Sequence, residues 1–455
     1  MSRNLLKDAL HRLAAIAIFA AAGGLFGGGA GAQTGLDVNH CFNEEHAYSI
    51  EEVITGCTII IKSDFAEGSD LALIFVLRGT AYASSGQIEA ALADFSEALQ
   101  LDPKNSNALA ARGVLHLGKG EFDGAILDLN AAIELMPGDA GAHASRGMAY
   151  VGKADLDRAK TDYDESIRLD PTNAAVITER GLIYMTKGDF DRALADFNEA
   201  IRRDPKNANA YSSRGTALLI KGDPGRAKAD LDTAIKLDPN LAKAFVARGG
   251  VHVIQGNIDL AFGDFDKAVR LDASDPMAFN NRGVTYQAKG DLDRAIADYH
   301  EAIRLQGDHP LALFNRGNAY FDKGDFERSA ADRARTLEQQ PTDALRAARL
   351  YLARARAGRP NASEELRANA QTLTGTEWPR PVIDLLLGSQ SPEKVFAAAG
   401  RPDQKCEARF YIGEWHLLQH DRAAAINALT AATNSCPKLV PEFQSARAEL
   451  KRLGR

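Results

Sequence analysis

At 455 residues, 45% of them apolar and 25% charged, the chain has the composition of a folded, soluble protein of two or three ordinary domains. Its formal net charge is -7, and Arg3, Lys7 and Arg12 against Asp8 leave about -9 on everything after residue 32. An acidic body argues against nucleic acid or an anionic lipid surface as partner and permits a basic one.

Residues 1–32 predict a targeting segment. Ser2 to Arg12 supplies a positive region, Leu13 to Phe26 an apolar run, and Ala30-Gly31-Ala32 a small-residue cleavage site. Roughly 20 apolar residues are needed to cross a bilayer as a helix, more than this run supplies. No permanent membrane span is therefore expected, an uncleaved anchor being the alternative. No Cys adjoins the cleavage site to carry a lipid. The expectation is an exported chain starting near Gln33, in a bacterial periplasm. Cys41 and Cys57 lie near its N-terminus, Cys406 and Cys436 near its C-terminus. An even count in an oxidising compartment predicts two disulfides, with three connectivities possible; pairing 41 with 57 and 406 with 436 is the simplest.

From residue 72 one phrase recurs, as in KGDFDRALADFNEAIRRDP at 187–205. Arg78, Arg112, Arg146, Arg180, Arg214, Arg248, Arg282 and Arg316 are each followed by Gly, at one constant interval without insertion or deletion. With that Gly numbered 8, position 20 is Ala in seven units and Ser329 in the last, and position 27 is equally small. Helices approach closely only over such residues, since overpacking costs roughly 1–3 kcal/mol. Large residues alternate with them: Tyr82, Tyr150, Tyr184, Tyr286 and Tyr320 at position 11; Phe95, Tyr163, Phe197, Phe265 and Tyr299 at position 24. Pro103, Pro137, Pro171, Pro205 and Pro239 end the second helix. Position 23 is Asp in all eight units, from Asp94 to Asp332, and with the Arg at position 7 it predicts a ladder of ion pairs.

These positions, and a period matching the roughly 34 residues of a tetratricopeptide unit, resemble the tetratricopeptide repeat family over residues 72–343. The resemblance implies an all-α, right-handed superhelix of helix-turn-helix units. Residues 33–71 read as a disulfide-linked cap, with Cys57 where position 20 would fall. In the eighth unit Arg333 stands where an aromatic belongs, so the register is expected to loosen there. Residues 344–405 read as a degenerate helical segment, interrupted at Arg359-Pro360-Asn361. Residues 406–455 restore one repeat-like unit, with Gly413, Ala425 and Pro437 in register, followed by a capping helix. Trp378, VIDLLLG, FYIGEWHLLQHDRAAA and PEFQSARAELKRL also resemble the C-terminal part of the NlpI family of bacterial tetratricopeptide lipoproteins. That resemblance implies adaptor work, the recruitment of cell-wall hydrolases and a processing protease. The missing lipid-bearing Cys and the longer array here depart from it.

Catalytic signatures are missing from the sequence: no H-E-x-x-H, G-x-S-x-G, phosphate loop or dinucleotide fingerprint follows the leader. No cofactor and no metal is expected. His116, His143 and His252 occupy aromatic positions of the repeat and read as packed core. His40, Cys41, Glu44, Glu45 and His46 form the one dense metal-capable set, but an oxidised Cys41 cannot ligate and the spacing matches no zinc pattern. His416, His420 and Asp421 read as a solvated turn, with His420 where the repeat has Gly.

The family resemblance implies that first helices line a concave groove through positions 2, 5, 6, 9, 12 and 13. Early units place small or apolar residues there, whereas Asn280, Asn281, Gln287, Phe314, Asn315, Asn318 and Phe321 converge in the late ones. Amides donate and accept together, so this patch suits the backbone of an extended peptide; equally, the amides could merely solvate the groove or hold the chain's own tail folded against it. No basic carboxylate clamp of the chaperone-binding kind is present. The expected function is a non-catalytic scaffold for a protein or peptide partner. The alternatives are an enzyme with its site in 344–405 or at the His40 set, and a self-assembling structural protein.

Overall fold

The computed structural model describes residues 39–43, 48–63, 66–371 and 377–455, so the leader lies outside the described residues. Every regular element among them is an α-helix. The chain divides into two compact units, residues 1–221 and 222–455.

In the first unit, α1 (Ile50–Lys62) is a cap, followed by the pairs α2 (Gly68–Ser84) and α3 (Ile88–Leu101), α4 (Ser106–Lys119) and α5 (Phe122–Leu135), α6 (Ala140–Gly152) and α7 (Leu156–Leu169), and α8 (Ala174–Thr186) and α9 (Phe190–Arg203), with α10 (Ala208–Ile220) last. Ser49 and Glu52 form a reciprocal capping box that starts α1. Cys41 is bonded to Cys57 of α1, with Cα atoms 4.6 Å apart.

The second unit runs α11 (Pro224–Leu237), α12 (Ala242–Ile254), α13 (Ile258–Leu271), α14 (Pro276–Ala288), α15 (Leu292–Leu305), α16 (Pro310–Lys323), α17 (Phe326–Gln339), α18 (Ala344–Arg356), α19 (Ala362–Gln371), α20 (Arg380–Leu386), α21 (Pro392–Ala398), α22 (Pro402–Leu418), α23 (Arg422–Ser435) and α24 (Pro441–Arg452). Cys406 on α22 is bonded to Cys436 at the end of α23. Helices α18 to α24 share one apolar core with Phe321 and Leu337 of the last full repeat, built on Leu352, Val382, Ile383, Leu385, Tyr411 and Leu429.

Local rules explain the helix boundaries. Asp155, Asp189, Asp291 and Asp325 each accept a hydrogen bond from a backbone N–H of the first turn of the second helix they precede. The tight turn before them needs a left-handed residue, supplied by Gly290 (φ +84°) and Gly324 (φ +87°) and, without glycine, by Ala154 and His420 at φ near 60°. Position 8 must be Gly for a different reason: a Cβ on Gly283 would lie 2.7 Å from the ring of Tyr299, and one on Gly181 would lie 2.6 Å from Phe197.

Arg and Asp meet as the spacing predicts. Arg78–Asp94, Arg112–Asp128, Arg146–Asp162, Arg180–Asp196, Arg248–Asp264, Arg282–Asp298 and Arg316–Asp332 are all two-pronged, at 2.6–2.9 Å. The remaining guanidinium nitrogen reaches back to the second helix of the preceding repeat: Arg146 to Asn130, Arg180 to Asp164, Arg248 to Asp232 and Arg282 to Asp266, at 2.7–3.0 Å. One side chain therefore ties its own hairpin and docks it on the previous one. The carboxylates are buried, and a buried carboxylate is tolerable only with such partners.

Candidate functional site

Most of the seven residues singled out on the late first helices are engaged by other side chains of the chain. Asn315 of α16 donates to Asn280 of α14 at 3.0 Å, and Asn280 donates to Asn281 at 3.1 Å. Gln287 donates to Asp322 and accepts from Tyr299, both at 2.9 Å. Asn318 accepts from Arg333 at 3.2 Å. Phe321 is fully buried, edge-on to Phe326, and Arg349 lies over Phe314. Helix α24 packs against α16, α22 and α23, and it reaches this cluster through Asp322, which accepts from both Gln287 and Ser445.

Helix α24 brings polar side chains to this contact. Glu442, Ser445 and Glu449 are buried, and Arg452 is half-buried beside them. Ser445 donates to Asp322 at 2.5 Å, and Arg452 donates to the Asp322 carbonyl at 2.7 Å. Glu442 accepts from Arg349 of α18. Glu449 accepts from Arg356 at 3.0 and 3.2 Å, and the same guanidinium donates to Glu414 of α22 at 2.8 Å.

Burial governs the titration of this cluster. Asp322 is pushed up to about 6 by burial, against the hydrogen bonds from Ser445 and Gln287. Glu414 is pushed up to about 8, first by burial and then by the neighbouring Glu449 charge, against Arg356. Arg333 is lowered to about 10 by burial and by Arg349, so it remains a cation at neutral pH.

Two sequence expectations are corrected here. Arg333 does not mark a loosening register: α17 is a full-length second helix, its Asp332 pairs with Arg316, and Arg333 fills the aromatic slot to reach Asn318 and the Arg349 carbonyl. His116 is not core; it is half-buried and bonded to Glu121 at 2.6 Å, whereas His143 and His252 are buried. His40 stacks edge-on against Tyr48, and Glu44, Glu45 and His46 lie outside the described residues. Among the described residues no group of three His, Cys, Asp or Glu is placed to hold a metal. No described helix is long and apolar enough to cross a membrane. His420 is exposed in its left-handed turn, and Asp421 caps α23.

Sequence reasoning missed Asp322, Arg349, Arg356, Glu414, Glu442, Ser445 and Glu449. A signal was available: Arg349 and Arg356 are seven apart on one helix, and Glu442 and Glu449 are seven apart on another. Two turns is the spacing that keeps like residues on one face of a helix.

The sequence profile described as "TPR repeat" matches residues 79–120, 181–222 and 285–324, and the profiles described as "Tetratricopeptide repeat" match 140–173 and 212–276. The chain carries tetratricopeptide repeats. A comparison with curated proteins gives no match. Among solved structures, a tetratricopeptide repeat protein from Parabacteroides merdae ATCC 43184 is 16% identical over 54% of this chain and 97% of its own, with a TM-score of 0.46. YrrB, described as a TPR protein with an unusual peptide-binding site, is 29% identical over 41% of this chain and 95% of its own, with a TM-score of 0.31. Cut9–Hcn1, an APC/C hetero-tetramer, aligns at 16% identity over 75% of this chain and 85% of its own, with a TM-score of 0.47. By its repeat profiles the array is of a protein-interaction type, it is all-α, and α16, the first helix of its last full repeat, packs against α24.

Proposed function

We propose that this protein is a non-catalytic scaffold, exported to the bacterial periplasm, that docks a protein or peptide partner on its tetratricopeptide array. One observation carries the reading: helix α24 is held on α16 and α18 by side-chain hydrogen bonds and ion pairs. A surface that grips a helix in this way is chemically equipped for helical or extended ligands. Export rests on the leader pattern of residues 1–32 and on the cysteine placement. The NlpI-like residues of the tail support an adaptor that brings envelope enzymes together. The array offers long surface and stacks through neighbour contacts, which suits docking better than the closed, dry pocket that catalysis requires.

The decisive experiment is cross-linking of purified residues 33–455 in an envelope extract, read by mass spectrometry. The reading expects a short set of partners whose cross-links fall on the repeats, 72–343. Capture of nothing above background, or cross-links confined to residues outside the array, would sink it.

A further inference from the structure

A cavity of about 590 Å³ opens where α24 passes the turns that follow α14 and α16. Five cationic side chains line it: Lys289 and Lys323 from those turns, and Arg447, Lys451 and Arg452 from α24. The one carboxylate in the lining, Asp322, has both oxygens engaged, by Gln287 and Ser445. A chain of net charge -7 has here gathered positive charge from three separate segments.

Four of these cations are available to a ligand, whereas the Arg452 guanidinium is taken up by Glu449 and the Asp322 carbonyl. Lys289 and Lys323 are held by Asp259 and Asp293, aspartates 88% and 79% exposed, and such surface pairs are worth only about 0–1 kcal/mol. Arg447 is exposed and donates through one nitrogen to Gln444 at 2.7 Å, keeping its other donors. Lys451 is exposed and, among the described residues, its ammonium has no hydrogen bond or ion pair. Arg447 and Lys451 are one helical turn apart and so share a face.

The spread of the charges selects the ligand. They come from two turns one repeat apart and from successive turns of a helix, so they suit charges strung along a chain better than one compact anion. We propose that this cavity binds an acidic stretch of a partner polypeptide, a run of Asp and Glu side chains laid along the mouth between α24 and the two turns. The proposal rests on the scaffold reading and gives its partner a chemistry. Electrostatic complementarity of this kind sets specificity and association rate and weakens with salt.

The test uses residues 33–455 and a fluorescent peptide of eight glutamates flanked by Gly-Ser, followed by anisotropy. The expected result is saturable binding that weakens from 50 to 300 mM salt, with no binding of an isosteric glutamine peptide. Arg447→Glu with Lys451→Glu should weaken it on the order of tenfold or more, with unchanged helicity. Equal affinity for the glutamine peptide, or affinity indifferent to the double charge reversal, would overturn the proposal. Inorganic phosphate that displaces the peptide at millimolar concentration would overturn its polypeptide part. The two readings fail separately: a cross-linked partner retained by the double variant removes this site and leaves the scaffold, while peptide binding without any cross-linked partner keeps the site and removes the scaffold.

Discussion

Arg356 and Glu449, separated by 93 residues of chain, meet at 3.0 Å in the interior of the C-terminal unit, and Arg349 and Glu442 meet at the same separation one heptad earlier. The two pairs run in the same sense, so α24 lies parallel to α18. A buried ion pair adds little net stability, because desolvation offsets most of the attraction, but it penalises every wrong register. The tail is therefore positioned by charge on a surface that apolar contacts alone would leave loosely specified.

Removal of one partner should expose that penalty. Glu449→Leu leaves Arg356 with Glu414 alone, whereas Arg356→Leu removes the one cation hydrogen-bonded to the fully buried Glu414 and leaves Glu449 to Arg452. The second variant should be the worse by a clear margin, at roughly 3–5 kcal/mol of unfolding free energy. Denaturant titration of the two proteins side by side checks the order; equal losses would contradict it.

The docked tail should respond to pH. Asp322 rises from 3.8 to about 6 and Glu414 from 4.5 to about 8 on folding. Both are carboxyls that bind their proton more tightly in the folded state, so their contribution is present at low pH and is lost as pH rises through those windows. The groups facing Asp322 are Gln287, Ser445, Arg333 and Arg452; those facing Glu414 are Arg356, Arg452 and Glu449. Amide exchange of residues 441–452, corrected for intrinsic rate, should lose protection by on the order of tenfold or more between pH 5 and pH 8. Asp322→Asn should flatten the lower part of that change.

The ladder can be probed in one repeat. Arg282→Met strands Asp298, 6% exposed, and should cost about 3–5 kcal/mol. Adding Asp298→Leu should recover most of it, because the stranded charge is the larger part of the loss. A double variant as unstable as the single one would mean that the reach of Arg282 to Asp266, 3.0 Å away, carries more of the stability than the buried pair.

Position 8 offers a packing test. Gly283→Ala forces a Cβ to within 2.7 Å of Tyr299 and should destabilise by about 1–3 kcal/mol. Gly307→Ala, with no atom within 4 Å of the added carbon, should stay within about 0.5 kcal/mol of the parent. Thermal unfolding of both, measured together, separates packing from backbone effects.

Replacing Cys406 and Cys436 by Ser opens a loop of 30 residues and should cost roughly 3 kcal/mol in the chain-entropy account. Thiol titration of the denatured, unreduced parent should find no free thiol. Two free thiols would show that one of the two bridges does not form.

The repeat was legible in the sequence because its determinants are local and recur. A constant period, glycine where an aromatic ring passes, alanine where helices cross, and Arg and Asp at a fixed spacing each follow from contacts within a hairpin or with its neighbour. Such contacts leave a regular imprint on the chain. The fate of the late first-helix surface left none. Asn280, Gln287 and Asn318 read as free amides because nothing nearby in sequence claims them; their partners are Asn315, Asp322 and Arg333, assembled by packing. Likewise, Lys289 and Lys451 lie far apart along the chain and became one basic mouth only when α24 folded back past the turns. Neighbour contacts made the array, and the return of the tail, which depends on distant charges finding one another in a desolvated interior, decided what its last repeats present.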